Sequence, residues 1–86
     1  MDKGRIISKE EFVQKVSSHF NAQDPVAKIH HELKLLIENG YDRDQIQKLV
    51  EEYLNEFREQ KKEKEEDIMT DILTFFIGWS HKDWQL

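Results

Sequence analysis

The four histidines are the residues whose chemistry first suggests a site, either for a metal ion or for proton exchange near neutral pH. His30 and His31 are adjacent, so on a helix their side chains point about 100° apart. Histidine pairs that hold one metal ion on a helix are spaced by four residues, and neither histidine has a second ligand one turn further on. A metal site would need His19 or His81 from elsewhere in the fold. We therefore predict helix-surface histidines, with no metal and no cofactor.

Nucleophilic and phosphate-binding chemistry also lacks a motif in this chain. The three glycines are isolated, so there is no glycine-rich phosphate loop. The many carboxylates are interspersed with lysines, as on solvated helix faces. No serine stands in a nucleophile-elbow or triad-like context: Ser8, Ser17, Ser18 and Ser80. The sequence thus predicts a protein that is not an enzyme and has no catalytic residue, with a small metal-dependent or catalytic unit as a lower-ranked alternative.

Residues 24–58 contain a helix, the pair Asn39-Gly40 and a second helix, which is the order of a helix-turn-helix nucleic-acid-binding motif. The helix that would enter the groove begins at Asp42 and carries more acidic than basic side chains. Binding to the phosphate backbone needs clustered Lys and Arg. The pattern favours an ordinary helical hairpin, with helix-turn-helix-like nucleic-acid binding as the alternative.

The first helix has a clear start signal. Ser8 followed by Glu11 forms a capping box, in which each residue satisfies a main-chain amide of the other. This predicts a helix over residues 8–20. The preceding residues 1–6 are expected to form a flexible N-terminus.

The second helix is delimited at both ends. Asp24 is a good N-cap, and Pro25 is tolerated at a first helical position because its missing amide would be unpaired there. Gly40 ends the helix, since glycine adopts the left-handed conformation that closes one. A helix over residues 25–38 follows, and Asp42 then caps a third.

The third helix has no internal stop signal. Residues 59–67 are all charged except Gln60 and contain neither Gly nor Pro, and Glu, Gln and Lys are good helix formers. Apolar residues spaced by eleven positions keep one face nearly aligned over three turns: Ile46, Phe57, Ile68 and Trp79. This predicts a continuous helix over residues 43–78, followed by a tail of residues 80–86.

The predicted fold is therefore all-α, a single small domain of residues 1–86 with three helices and a long C-terminal third one. The alternative is a compact four-helix bundle, in which the chain breaks near residues 61–66 and a fourth helix folds back. A chain of 86 residues has a thin core in either arrangement.

The C-terminal apolar segment is the most unusual feature of the sequence. If the third helix is continuous, the first two helices are too short to cover this segment at its far end. We therefore predict a homodimer in which a second copy covers it. Docking of another protein, or contact with a membrane surface, are the alternatives. The predicted interface residues are Ile68, Ile72, Leu73, Phe75, Phe76 and Trp79.

Composition agrees with an interaction protein more than with other classes. The net charge is −5, and residues 42–86 carry seven basic and twelve acidic side chains, which makes nucleic acid an unlikely ligand. There is no cysteine and no apolar run of membrane-spanning length, so a cytoplasmic location is expected. The function predicted is a small, acidic, non-enzymatic protein-interaction or regulatory protein. It would act as a homodimer and bind a protein partner that the sequence does not identify.

Overall fold

The computed structural model describes residues 4–78 and Leu86. This part of the chain is all-α, as predicted, and forms four helices with one isolated main-chain bridge. The helices are α1 (Lys9–Ser17), α2 (Pro25–Glu38), α3 (Arg43–Gln60) and α4 (Glu63–Phe76). α3 and α4 lie antiparallel along each other, α4 also packs on α2, and α1 contacts α2 and α3.

Three helices begin where their capping residues predict. In each case the side chain of the capping residue accepts a hydrogen bond from the amide three positions on, at 3.1 Å for Ser8, 3.3 Å for Asp24 and 3.1 Å for Asp42. These bonds satisfy amides that the first helical turn leaves unpaired. α2 has the predicted bounds, whereas α1 ends at Ser17 rather than near residue 20.

The continuous third helix is wrong, and the four-helix alternative fits. Lys61 lies in the left-handed region, with φ 59° and ψ 36°. Its amide donates to the Arg58 carbonyl at 3.3 Å, and the Lys62 amide donates to the Phe57 carbonyl at 3.0 Å. These two bonds form the Schellman motif that closes a helix, and α4 begins at Glu63.

Burial explains why the chain turns where the local sequence favours a helix. A left-handed conformation costs a non-glycine residue about 1–2 kcal/mol, and Lys62 makes no side-chain cap for α4. Folding back buries five large side chains of α4, each worth roughly 1.5–3 kcal/mol. The summed free energy of burial exceeds the cost of the left-handed conformation at Lys61 several-fold. The five residues are Ile68, Met69, Ile72, Phe75 and Phe76.

The core is continuous from α1 to α4. An aromatic group joins α1 and the turn after it to α3, with the ring centroids of Phe20 and Phe57 5.5 Å apart and those of Phe12 and Tyr53 6.2 Å apart. Such edge-on ring pairs are favourable beyond the area they bury. The buried side chains of α4 belong to the same core.

His30 differs from the prediction of surface histidines. Its side chain is buried, and its ring meets the ring of Phe75 edge-on at 5.0 Å. Adjacent histidines on a helix face different directions, so one of the two, here His31, stays exposed. The sequence shows both as polar residues and does not show which of them faces α4.

Residues 4–6 belong to the segment predicted to be a flexible N-terminus, and they pair with the α2–α3 connection; residues 1–3 lie outside the described residues. The Arg5 amide donates to the Gly40 carbonyl at 2.7 Å, and the Asp42 amide donates to the Arg5 carbonyl at 2.8 Å. The side-chain amide of Gln45 accepts from the Ile7 amide at 3.2 Å and donates to the Ile7 carbonyl at 2.8 Å. Main-chain pairing with the α2–α3 connection therefore orders this segment, and composition does not reveal such pairing.

Candidate functional site

The predicted interface residues lie inside the molecule rather than on its surface. Ile68, Ile72, Phe75 and Phe76 are buried against α2 and α3 of the same chain, and Leu73 is half-buried against the core. Trp79 lies outside the described residues. The reason for predicting a homodimer, an uncovered far end of a long helix, therefore does not hold for this fold. The oligomeric state itself stays a prediction.

Exposed large apolar side chains are found at one end of the described part of the molecule. They are Ile6, Leu35 and Ile77, with 65%, 40% and 48% of their surface exposed. Ile6 adjoins the bridge to the α2–α3 connection, Leu35 lies in the last turn of α2, and Ile77 follows α4. Here α2 and α4 end and α3 begins. We call this surface the Arg43 end.

Arg43, the first residue of α3, ties the Arg43 end together. Its Nε donates to the main-chain oxygen of Leu86 at 2.6 Å, and its Nη2 donates to the Phe76 carbonyl. Its guanidinium also lies over the Phe76 ring, 5.2 Å from the centroid. A cation at the C-terminal end of a helix is favourable because the last carbonyls lack helical partners. The arginine thus holds the ends of α3 and α4 in a fixed relation.

A second arginine stacks on an aromatic ring on the other side of Asp42. The guanidinium of Arg5 lies 4.8 Å from the centroid of Tyr41. The Arg5 main chain is fixed by its bridge to Tyr41, so the stack rests on an ordered backbone. Tyr41 itself is half-buried against the core. Arginine and tyrosine are both enriched at protein interfaces.

The acidic excess of the protein lies away from the Arg43 end, although Glu38, Asp42 and Asp44 are at that end. Residues 51–71, which form the second half of α3 and most of α4, carry nine acidic and four basic side chains. This excess equals the net charge of the whole chain. The Arg43 end therefore combines apolar side chains and arginine donors outside the most acidic region of the chain.

Tyr53 and Lys9, both within the described residues, have pKa values that their surroundings in the fold raise. Burial raises the pKa of Tyr53, and the carboxylates of Glu56 and Glu65 add to the effect. The hydrogen bond to Glu56 raises the pKa of the Lys9 ammonium, which is exposed.

Metal ligands do not converge in the described part of the chain. His19 pairs with Glu32 at 3.2 Å between the end of α1 and α2, and no group of three His, Cys, Asp or Glu side chains there could hold an ion. His81 lies outside the described residues. A shallow depression of about 380 Å³ is lined by Asp44, Gln47, Lys48 and Glu51. All four come from α3, whereas ligand sites are built where several elements meet.

The exposed face of α3 is the surface that the helix-turn-helix alternative would place against nucleic acid. The apolar side of α3 packs into the core, so the side left to meet a ligand carries Asp44, Lys48, Glu51 and Glu52. Three of these four side chains would repel phosphate. Among the described helices, none has the length and apolar character needed to cross a membrane.

The Arg43 end was missed at the level of the sequence because its residues are distant along the chain. Arg5 was assigned to a flexible N-terminus, and neither Tyr41 nor Arg43 was singled out as a site residue. The sequence holds no local signal for this grouping, because Arg5 meets Tyr41 only once the N-terminal segment pairs with the α2–α3 connection.

Comparison with other proteins does not indicate a function for this chain. No protein-family model matches the chain, and neither a curated protein nor a solved structure matches it. What the molecule does must therefore be inferred from its own surface.

Proposed function

We propose that this chain is a small non-enzymatic protein-interaction or regulatory protein, and that it binds a protein partner through the Arg43 end. The observation that carries the proposal is that exposed Ile6, Leu35 and Ile77 occur at the same end of the helices as two arginines that lie over aromatic rings. The cytoplasmic location and the homodimer predicted from the sequence stay part of the proposal.

The physical argument begins with the apolar residues. Burying their exposed surface against a partner is favourable by roughly 25 cal/mol per Å². The surface around them is already ordered by main-chain bonds to Arg5 and by the contacts of Arg43, so binding would order few additional groups. Association is stronger when this entropic cost is small.

The partner that fits is a protein surface with apolar side chains and a carboxylate at their edge. Arg5 is exposed, and its stacking on Tyr41 leaves its N–H groups in the plane of the guanidinium to donate. Arginine binds a carboxylate through two parallel hydrogen bonds. The acidic residues 51–71 lie along the rest of α3 and α4 and would disfavour an acidic partner there, which would orient it toward the Arg43 end.

The test compares a surface variant with a matched control. Ile6→Ser with Ile77→Ser removes two exposed apolar side chains of the Arg43 end, and Glu59→Ser with Glu63→Ser changes two exposed residues at the opposite end. The unmodified chain, the control and the surface variant are each used to retain proteins from an extract of the native host. A protein that the unmodified chain and the control retain, but the surface variant does not, is purified, and its affinity for each of the three chains is measured by titration. We expect at least a tenfold loss of affinity for the surface variant, which is about 1.4 kcal/mol.

Two results would contradict the proposal. A purified partner that binds the surface variant as tightly as the unmodified chain would place the binding site elsewhere. Retention that is lost only in the Glu59 and Glu63 control would assign binding to the acidic end of the hairpin. Circular dichroism of each variant confirms that the helices are intact before binding is compared.

A further inference from the structure

The ends of α2 and α3 share one backbone motif but differ in the residue at its critical position. At the end of α2, the Gly40 amide donates to the Ile37 carbonyl at 3.1 Å and the Tyr41 amide donates to the Leu36 carbonyl at 3.0 Å. The Lys61 and Lys62 amides make the equivalent two bonds at the end of α3. The left-handed residue is glycine in α2, with φ 95°, and lysine in α3, with φ 59°.

The connection between α3 and α4 also lacks other signals that would hold it in a turn. It contains neither glycine nor proline, and Lys62 provides no side-chain cap for the first turn of α4. Lysine prefers the right-handed helical conformation, and glycine populates both hands about equally. The local sequence at Lys61 therefore favours one continuous helix over the observed turn.

A continuous helix would separate α4 from its own α2. From residue 43 to residue 76 it would be about 50 Å long at 1.5 Å per residue, which exceeds the longest extent of the folded chain, 41 Å. The apolar face of α4 would then be uncovered. The face of α2 and α3 that α4 covers in the closed chain would be uncovered as well. The two surfaces are complementary because they pack against each other in the closed chain.

We propose that two copies of this chain exchange α4. In the exchanged dimer, α3 and α4 of each copy form one helix through Lys61, and α4 packs on α2 and α3 of the other copy. The contact of His30 with Phe75 and the ion pair of Arg58 with Glu66, 3.1 Å in the closed chain, then form between copies. This inference gives the homodimer of the proposed function a structural form, and it does not depend on partner binding at the Arg43 end.

The exchange preserves the core and changes only the hinge. Every apolar contact of α4 in the closed chain is made again with the second copy, so burial does not distinguish the two forms. Release of the left-handed lysine in each copy favours the dimer, while loss of independent motion on association favours the closed monomer. Short, strained hinge loops are where such exchange occurs in other proteins. Raising the concentration should therefore populate the dimer.

The first experiment measures solution mass by light scattering. The unmodified chain is concentrated to on the order of 1 mM, warmed through partial unfolding so that exchange is not limited by its rate, and then cooled. We expect a dimer whose fraction rises with concentration. A chain that is monomeric throughout after this treatment would overturn the proposal.

Two hinge variants separate exchange from ordinary surface association. Lys61→Gly removes the local preference for the continuous helix. Because each dimer contains two hinges, the effect counts twice, and we expect the dimerisation constant to fall roughly 30-fold or more. Glu63→Pro is tolerated in the closed chain because residue 63 is the first position of α4, but it lies inside the continuous helix. We expect it to abolish the dimer. The control Glu63→Ala removes the same charge and should leave dimerisation unchanged.

Cross-linking then identifies which chain supplies α4. The protein has no cysteine, so Arg58→Cys with Glu66→Cys introduces one pair across the α3–α4 contact. In the dimer fraction, a short bismaleimide should join two chains, and in the monomer fraction it should link one chain internally. A dimer that survives Glu63→Pro, or one whose cross-links stay within single chains, would show that the copies associate without exchange.

Discussion

Lys61 holds at the end of α3 the left-handed backbone position that Gly40 holds at the end of α2. Both residues close their helix through the same pair of main-chain bonds. At Gly40 the local sequence favours this conformation, whereas at Lys61 it opposes it. The closure of α3 onto α4 is therefore imposed by the burial of the apolar face of α4.

The first prediction concerns the stability of the closed chain. Lys61→Gly should raise the free energy of unfolding by about 0.5–1 kcal/mol, since relief of the left-handed strain exceeds the added entropy of the unfolded state. Gly40→Ala should lower it by about 1 kcal/mol or more, because alanine is strained at φ 95°. Urea unfolding of dilute protein measures both. Changes of the same sign in the two variants would contradict this account of the hinge.

The second prediction separates two neighbouring residues that the sequence placed together in an interface. Ile72 is completely buried and Leu73 is only half-buried. Ile72→Ala should cost about 2–5 kcal/mol of stability, as large-to-small changes in a core do. Leu73→Ala should cost clearly less. The comparison is made by chemical unfolding at low concentration, and equal losses would argue that α4 does not pack as described.

The third prediction concerns the ordered N-terminal segment. A Cβ atom at residue 4 would lie 2.7 Å from both the Cα and the amide nitrogen of Asp42, which is too close without a backbone shift. Gly4→Ala should therefore weaken the pairing of Arg5 with Asp42 and cost about 1–2 kcal/mol. Hydrogen exchange of the Asp42 amide, which donates to the Arg5 carbonyl, should become faster. Glu10→Ala, on an exposed face of α1, is the control, and unaltered exchange in Gly4→Ala would refute the close approach.

The fourth prediction concerns alkaline pH. Burial raises the pKa of Tyr53 in the folded chain above its ordinary value of about 10. Above that ordinary value the unfolded chain loses the phenolic proton while the folded chain retains it, so the free energy of unfolding falls as the pH rises. This part of the stability is complete below pH about 10 and is lost as the pH passes through the raised pKa.

Two variants isolate the effect of Tyr53 from that of other groups. In Tyr41→Phe, the phenolate absorbance reports Tyr53 alone, and it should appear above the ordinary pKa. Tyr53→Phe should show a smaller decrease in stability between neutral and alkaline pH than the unmodified chain. The raised pKa of Lys9 contributes equally to both proteins, so the difference belongs to Tyr53. A phenolate that titrates at the ordinary value would contradict its burial.

Helix starts could be read from the sequence because they depend on local chemistry. Asp24 and Pro25 act within one turn, and Gly40 acts on its own backbone, so α2 was predicted with its observed bounds. The α3–α4 turn could not be read in this way. Local preference at Lys61 indicates a helix, and the outcome is decided by the packing of α4 on α2 and α3.

The candidate site was less accessible to sequence analysis than the helices. The apolar character of residues 68–76 was recognised, but which surface covers them depends on the turn. Arg5 and Arg43 come together through main-chain bonds between the N-terminal segment and the α2–α3 connection. Such bonds are made by every residue type and leave no compositional signal.

The most direct test of this fold is an NMR measurement on dilute, isotope-labelled protein of confirmed monomeric mass. Main-chain chemical shifts report helix through Gln60 and from Glu63, and ring-to-ring nuclear Overhauser effects report whether α4 lies on α2. We expect a left-handed residue at Lys61 and a contact between the His30 and Phe75 rings. Uninterrupted helical shifts from Arg43 to Phe76, without that contact, would contradict the account.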